Sequence, residues 1–262
     1  MPTNITSHKG VIIAATSDLH GCLDDIVSTC DRSKVDILIV AGDIQPADPY
    51  YHFDPMACRQ WFLNEFFYHI GLMKCEVVVI PGNHDFWLCS WMRGEYGKMD
   101  EFKNKYPLPK NFHLLSDQEI TLKGLRIYGM PWVPWINGQW CYELFDEDLR
   151  DRCKKIPEGI DILVTHTPPR YNDAKVDVSL EYDPDGVRHF GDTNLTAAIF
   201  RASPAAVVCG HIHSGDHNPY IVDNQSGDCK THIFNVSRVN ERYEVEYPIK
   251  IFTIKGRSVK DR

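Results

Sequence analysis

Five short apolar runs in this chain each end on a polar cluster drawn from the same few residue types. The runs are Val11–Thr16, Ile37–Ala41, Glu76–Ile80, 160–164 and Ala206–Cys209. After them come Asp18 and His20 in SDLHG, Asp43 in AGD, Asn83 in GNHD, His166 in VTHTPP, and His211 and His213 in GHIH. The runs are rich in Val, Ile and Leu and nearly continuous, the pattern of strands buried on both faces. In layered α/β architectures, ligands gather at the carboxyl ends of such strands. The chain is thereby constrained to a fold that brings five clusters of one chemical kind to one rim.

The segments between the runs fit that expectation. Helices are predicted at 23–32, at 55–70, where Trp61, Phe62, Phe66 and Ile70 offer one apolar face, near 143–155 and near 195–202. Further strands are predicted at 119–122, 125–129, 231–236, 243–246 and 249–254. With no linker, internal repeat or low-complexity segment, residues 1–262 read as a single domain. The expected fold is α/β, a four-layer α/β/β/α sandwich of two mixed sheets with helices outside. Two stretches are long enough to be functional loops, the tryptophan-rich 131–140 and 168–192, which directly follows His166.

Composition narrows the class. A net charge of −8 gives no support to a general nucleic-acid or membrane-surface binder. Nine cysteines, with no CxxC pair and several beside apolar runs, suit reduced thiols in a cytoplasmic protein. The opening MPTNITSHKG has no apolar stretch of the kind a secretory leader needs, and no run approaches membrane-spanning length. The basic tail KGRSVKDR reads as a solvated end.

The seven clustered residues comprise two carboxylates, one amide oxygen and four imidazoles, with no thiolate. That set is too large for one tetrahedral ion and suits two ions sharing a carboxylate. A mixed nitrogen and oxygen shell fits Mn, Fe, Zn, Co or Ni, with manganese favoured, and so many imidazoles disfavour Mg and Ca. Two divalent ions bring four positive charges; the carboxylates cancel two and a bridging hydroxide a third, leaving a site that attracts an anion such as phosphate. Ions about 3.5–4 Å apart can activate hydroxide and clamp an in-line phosphoryl displacement. His84, beside Asn83, is the candidate general acid, and Asp85 could orient its ring. Arg170 and Arg188 could reach a phosphate or be solvated loop residues, while His189 and His217 fall outside the set.

The joint order DxH, GD, GNHD, H, GHxH, from Asp18 to His213, resembles the calcineurin-like metallophosphoesterases. The resemblance implies that Asp18, His20, Asp43 and His213 hold one metal. It implies that Asp43, Asn83, His166 and His211 hold a second, with Asp43 bridging and His84 as the catalytic histidine. The protein serine/threonine phosphatases of that superfamily carry GDxVDRG and GNHE; here GDIQPAD and GNHD stand instead, without the diagnostic arginine. YGMPWVPW, VTHTPP and the spacing from Gly191 to Leu195 are similar to the small metallophosphoesterase-domain phosphodiesterases. That likeness implies hydrolysis of a small-molecule phosphate ester or diester by a metal-bridging hydroxide. A nuclease would add a basic groove, a non-catalytic scaffold would lack ligands, and a phosphomonoesterase shares the same residues.

Overall fold

A computed structural model of the chain describes residues 10–93, 102, 104–223, 227 and 230–262. The opening stretch 1–9, residues 94–101 and 103 of the segment rich in Trp, Gly and charge, residues 224–226, Asp228 and Cys229 lie outside the described residues. Strands β1 (Val11–Thr16), β2 (Ile37–Ala41), β3 (Glu76–Ile80) and β4 (Phe112–Leu114) run parallel in one sheet. Antiparallel β13 (Lys250–Lys255) and β14 (Ser258–Asp261) extend it beyond β1. The second sheet centres on parallel β6 (Leu125–Met130), β9 (Ile162–Thr165), β10 (Ala206–Cys209) and β12 (Lys230–Asn235). Antiparallel β5 (Gln118–Leu122) and β11 (Tyr220–Asp223) form its edges. A short pair, β7 (Val133–Pro134) and β8 (Glu143–Leu144), stands apart.

The apolar runs explain the layering. Along β2, Ile37, Ile39 and Ala41 enter the core between the sheets, while Leu38 and Val40 face a second core under the helices. The inner core joins Ile13, Val78 and Ile80 to Ile127, Val164, Val208 and Phe234 of the other sheet. Outside the first sheet lie α1 (Ile26–Ser33), α3 (Pro55–Trp61) and α4 (Phe67–Leu72), packing Ile26, Cys30, Cys58 and Ile70 against Val77 and Val79. Outside the second lie α6 (Asp146–Lys154) and α7 (Thr193–Ala202), packing Leu149, Leu195 and Ile199 against Leu163 and Val207. Three apolar cores thus separate four layers. Full burial of a Val or Ile side chain stabilises by about 1.5–3 kcal/mol. Every residue of β2 is buried, which offsets the cost of the polar groups gathered at its end.

Several boundaries differ from the expected ones. The helix expected at 55–70 is broken by a π-helical turn, Phe62–Phe66, where the Phe67 N–H donates to the Phe62 carbonyl; Phe62, Phe66 and Phe67 all stay buried. The loop before it contains α2 (Pro49–Phe53), capped by Asp48, and α5 (Phe86–Arg93) follows the GNHD motif. The strand expected at 160–164 begins two residues later. Residues 243–246 form no strand, because the Asn240 amide oxygen takes the N–H groups of Arg242 and Glu244 and turns the backbone out of an extended path. The tail is not simply solvated either: a two-residue turn at Gly256–Arg257 folds it back as β14, with Lys255 opposite Ser258.

Candidate metal centre

The strands β1, β2 and β3 of one sheet and β9 and β10 of the other end at the same rim, and each passes directly into one of the clusters. The rim is tied across the sheets: Ser17 bridges Ser237, the Ser17 N–H donates to the Val236 carbonyl, and His166 Nδ1 donates to the Ala41 carbonyl at 2.8 Å. The backbone is bent into the left-handed region at Asp18, His20, Asp43 and His211, with φ of 51°, 42°, 52° and 70°. Such conformations are uncommon for side-chain-bearing residues and cluster at functional sites. Two glycines are required by close approach. A Cβ on Gly82 would collide with the Asp43 carboxylate, and one on Gly210 with Asp18 and Ser17.

Two groups of donors result, buried except for the half-buried His211: Asp18, His20 and His213, and Asp43, His166 and His211, each with ligand atoms within 4.8 Å of one another. Asp43 lies between them. Its Oδ2 is 3.2 Å from His166 Nε2, 3.8 Å from His20 Nε2 and 4.0 Å from His84 Nε2, while Oδ1 accepts the His84 N–H. Asn83 joins the second group through Oδ1, 3.0 Å from His166 Nε2. In the first group His213 Nε2 stands 3.5 Å from Asp18 Oδ1, and His213 Nδ1 donates to the Asn240 carbonyl. Asp18 also accepts from Ser237 Oγ and from the His211 N–H.

Electrostatics divides the histidines. Burial pushes His20 and His211 down to about 3, leaving neutral rings. For His166 and His213 burial acts the same way, but the adjacent carboxylates, Asp43 and Asp18 respectively, outweigh it and lift each to about 9. Burial opposes ionisation of both carboxyls; the histidine charges prevail and hold them below the usual carboxylate range. Neither ring nitrogen of the buried His20 has a hydrogen-bond partner among the described residues. An imidazole buried without a partner at either nitrogen, beside two carboxylates, fits a metal ligand.

Comparison with known proteins identifies the family. The family model described as calcineurin-like phosphoesterase matches residues 12–215. The chain belongs to the calcineurin-like phosphoesterases. Metallophosphoesterase domain-containing protein 1 of Homo sapiens is 30% identical over 213 residues, covering 74% of this chain and 60% of its own. The chain therefore spans about three fifths of that relative's length. The lariat debranching enzyme of Schizosaccharomyces pombe is 24% identical over 268 residues, covering 88% of this chain and 56% of its own. A dimetal phosphatase from Danio rerio shares the fold at a TM-score of 0.52 and 11% identity, over 95% of this chain and 94% of its own.

In this calcineurin-like phosphoesterase, His84 packs edge-on against His20, with ring centres 4.9 Å apart, and lies against Trp140 at 4.4 Å. Asp85 differs from its expected role. Its carboxylate does not hydrogen-bond the His84 ring; it accepts the N–H groups of Ile44, Gln45 and Gly82, bridging the loops that carry Asp43 and Asn83. All three of these partners are backbone donors, the contacts of a structural strut. Arg170 and Arg188 are exposed, Arg188 lying over Phe190. His189 pairs with the buried Asp177, and His217 Nε2 bonds the His213 carbonyl. Loop 168–192 is no free excursion: Val176 and Val178 are buried, and the Leu180 N–H donates to Ser214. Sequence reasoning missed Ser237 and Asn240, which lie between two expected strands, and Tyr243, which reads as strand; all three support the Asp18 group, and the Asn in RVNERY was the available turn signal.

Proposed function

We propose that residues 1–262 form one dinuclear, metal-dependent phosphoester hydrolase unit acting on small-molecule phosphodiesters. Asp18, His20, Asp43 and His213 would hold one divalent ion, and Asp43, Asn83, His166 and His211 the other, with manganese favoured. The observation that carries the reading is Asp43: one buried carboxylate oxygen lies within 4.0 Å of imidazole nitrogens from His20, His84 and His166. Bound there, two such ions supply positive charge for a phosphoryl group and acidity for water. The chain's own part is positioning and proton transfer. Burial keeps His84 below the usual histidine range, and an arriving phosphate anion opposes that shift, so the ring takes up a proton together with its substrate. His84 then donates that proton to the departing alkoxide.

The likeness to a lariat debranching enzyme supports a diester and makes a nucleic-acid diester the second reading. Free thiols at all eight described cysteines support a reducing, cytoplasmic setting. Among the described residues no helix is long and apolar enough to cross a membrane.

The test is a manganese-reconstituted protein assayed on a nitrophenyl diester, a nitrophenyl monoester, cyclic nucleotides and a branched RNA, with metal analysis alongside. Two ions per chain and a diester preference are expected. Full activity at one ion per chain would refute the dinuclear centre. His84→Ala is expected to keep both ions and lose about 10²–10⁴-fold in turnover on poor leaving groups, less on nitrophenolate. A defect that ignores leaving-group pKa removes the general-acid role.

A further inference from the structure

Tyr243 stands over the candidate centre in a conformation that needs explaining. Its ring lies edge-on to His20 at 4.7 Å, 5.5 Å from the His213 ring and 6.4 Å from that of His84. Its backbone φ is +62°, unusual for so bulky a side chain, and its surface is still 42% exposed. A residue needed only to turn the chain there would be Gly or Asn. A residue needed only to cover the histidines would be buried.

The turn is built to hold that pose. The buried Asn240 accepts the N–H groups of Arg242 and Glu244 on its side-chain oxygen and that of Tyr243 on its carbonyl. Its amide nitrogen donates to Glu244 and Glu246, and the same carbonyl accepts from His213 Nδ1. Tyr243 is thus fixed relative to the ligand histidine itself. Trp140 also lies against His84, tilted 31° from its ring. The N–H of Trp140 is held by Glu143 Oε1, and Glu143 Oε2 gathers the N–H groups of Asn137 and Gly138. Two independently anchored aromatic residues therefore stand beside the one histidine assigned to the leaving group.

Resting on the reading of the site as a phosphoesterase centre, we propose that Tyr243 and Trp140 are specificity-determining walls that accept an aromatic ring carried on the phosphate ester. Stacking on fixed aromatic side chains tolerates any planar ring, so aryl and nucleoside esters share the required chemistry. Alkyl esters such as glycerol phosphates gain nothing from these walls.

The test is calorimetric titration of the manganese-loaded protein with inorganic phosphate, glycerol phosphate, phenyl phosphate and adenosine monophosphate. The aromatic ligands are expected to bind about tenfold tighter than glycerol phosphate. Tyr243→Ala, and the bulk-preserving Tyr243→Leu, are expected to bring that ratio to within about twofold of unity, and Tyr243→Phe to keep it. A gain for phenyl phosphate identifies a generic ring site; a gain confined to the nucleotide identifies one sized for a base. Phosphate binding without aromatic preference, or a preference that survives Tyr243→Leu, overturns the inference alone. Failure to bind any phosphate overturns the site reading and this inference with it.

Discussion

His166 is pinned by the strand carbonyl of Ala41 and by Asn83, whereas His213 leans on the carbonyl of Asn240, a residue in an irregular loop. The contrast extends to their surroundings. Around Asp43 the supports are strand ends and the Asp85 strut, which ties the Asp43 and Asn83 loops together. Around Asp18 they are Ser237 and the turn carrying Tyr243, held by side-chain to backbone hydrogen bonds rather than by a ladder. One half of the centre is a consequence of packing two sheets. The other is completed by a loop outside the strand ladders. The halves are expected to fail separately wherever Asp43, their common member, is left alone.

The largest effect belongs to that common member. Asp43→Ala is expected to lose both metal ions and bring turnover to background, while Asp43→Asn keeps part of the geometry and weakens both halves. Metal analysis with wild-type content in Asp43→Ala would remove Asp43 from the centre. Next comes the strut. Asp85→Ala leaves three buried N–H groups without an acceptor, at about 1–3 kcal/mol each, partly offset because burial raises the Asp85 carboxyl to about 7. Urea unfolding of the metal-free protein is expected to show a net loss of about 3 kcal/mol. A change in turnover at unaltered stability would return Asp85 to a catalytic role.

A smaller change separates the halves. Asn240→Ala keeps the carbonyl that His213 uses but removes the amide that closes the turn. It is expected to weaken one ion about tenfold and leave the other nearly untouched, since supports of ligands are typically worth 10–100-fold in affinity, about 10 at the low end. Equal weakening of both ions in a competition titration breaks the proposed division.

The mildest effect is on pH dependence without metal. His20 and His211, held near 3, weaken the fold as pH drops below 6.5, where the unfolded chain takes up protons the folded chain refuses. His166 and His213, lifted to about 9, contribute in full below 6.5 and lose that contribution as pH rises through 9. Stability is expected to peak near pH 6.5 and fall on both sides. Metal loading replaces the protons on His166 and His213, so it is expected to flatten the alkaline limb. A metal-free stability that climbs steadily to pH 9 contradicts these assignments.

The same division marks what could be read in the sequence. Parallel strands buried on both faces leave continuous apolar runs, and their carboxyl ends share one rim, so the placing of Asp18, Asp43, Asn83, His166 and His211 follows from spacing alone. The purpose of Asp85 was hidden because its partners, the backbone at Ile44 and Gln45, come from a loop forty residues away that only sheet pairing brings near. Tyr243 was hidden because Tyr, Val and Glu in sequence mimic a strand, and the Asn240 amide that prevents one acts locally against that propensity. The tail strand was masked by its charge, although the Gly-X pair at Gly256–Arg257 announced the turn.

The crowding at Gly82 and Gly210 carries an evolutionary consequence. In each case the space a side chain would need is filled by a carboxylate, Asp43 or Asp18, and also by an atom that stays when the carboxylate goes: the Asp43 backbone nitrogen at Gly82 and the Ser17 side chain at Gly210. Loss of a carboxylate therefore does not free its glycine. In descendants that abandon metals, Asp43 and Asp18 are expected to drift first, with Gly82 and Gly210 left in place. A glycine retained at these positions is thus a trace of the fold, and only the carboxylate beside it is a trace of use.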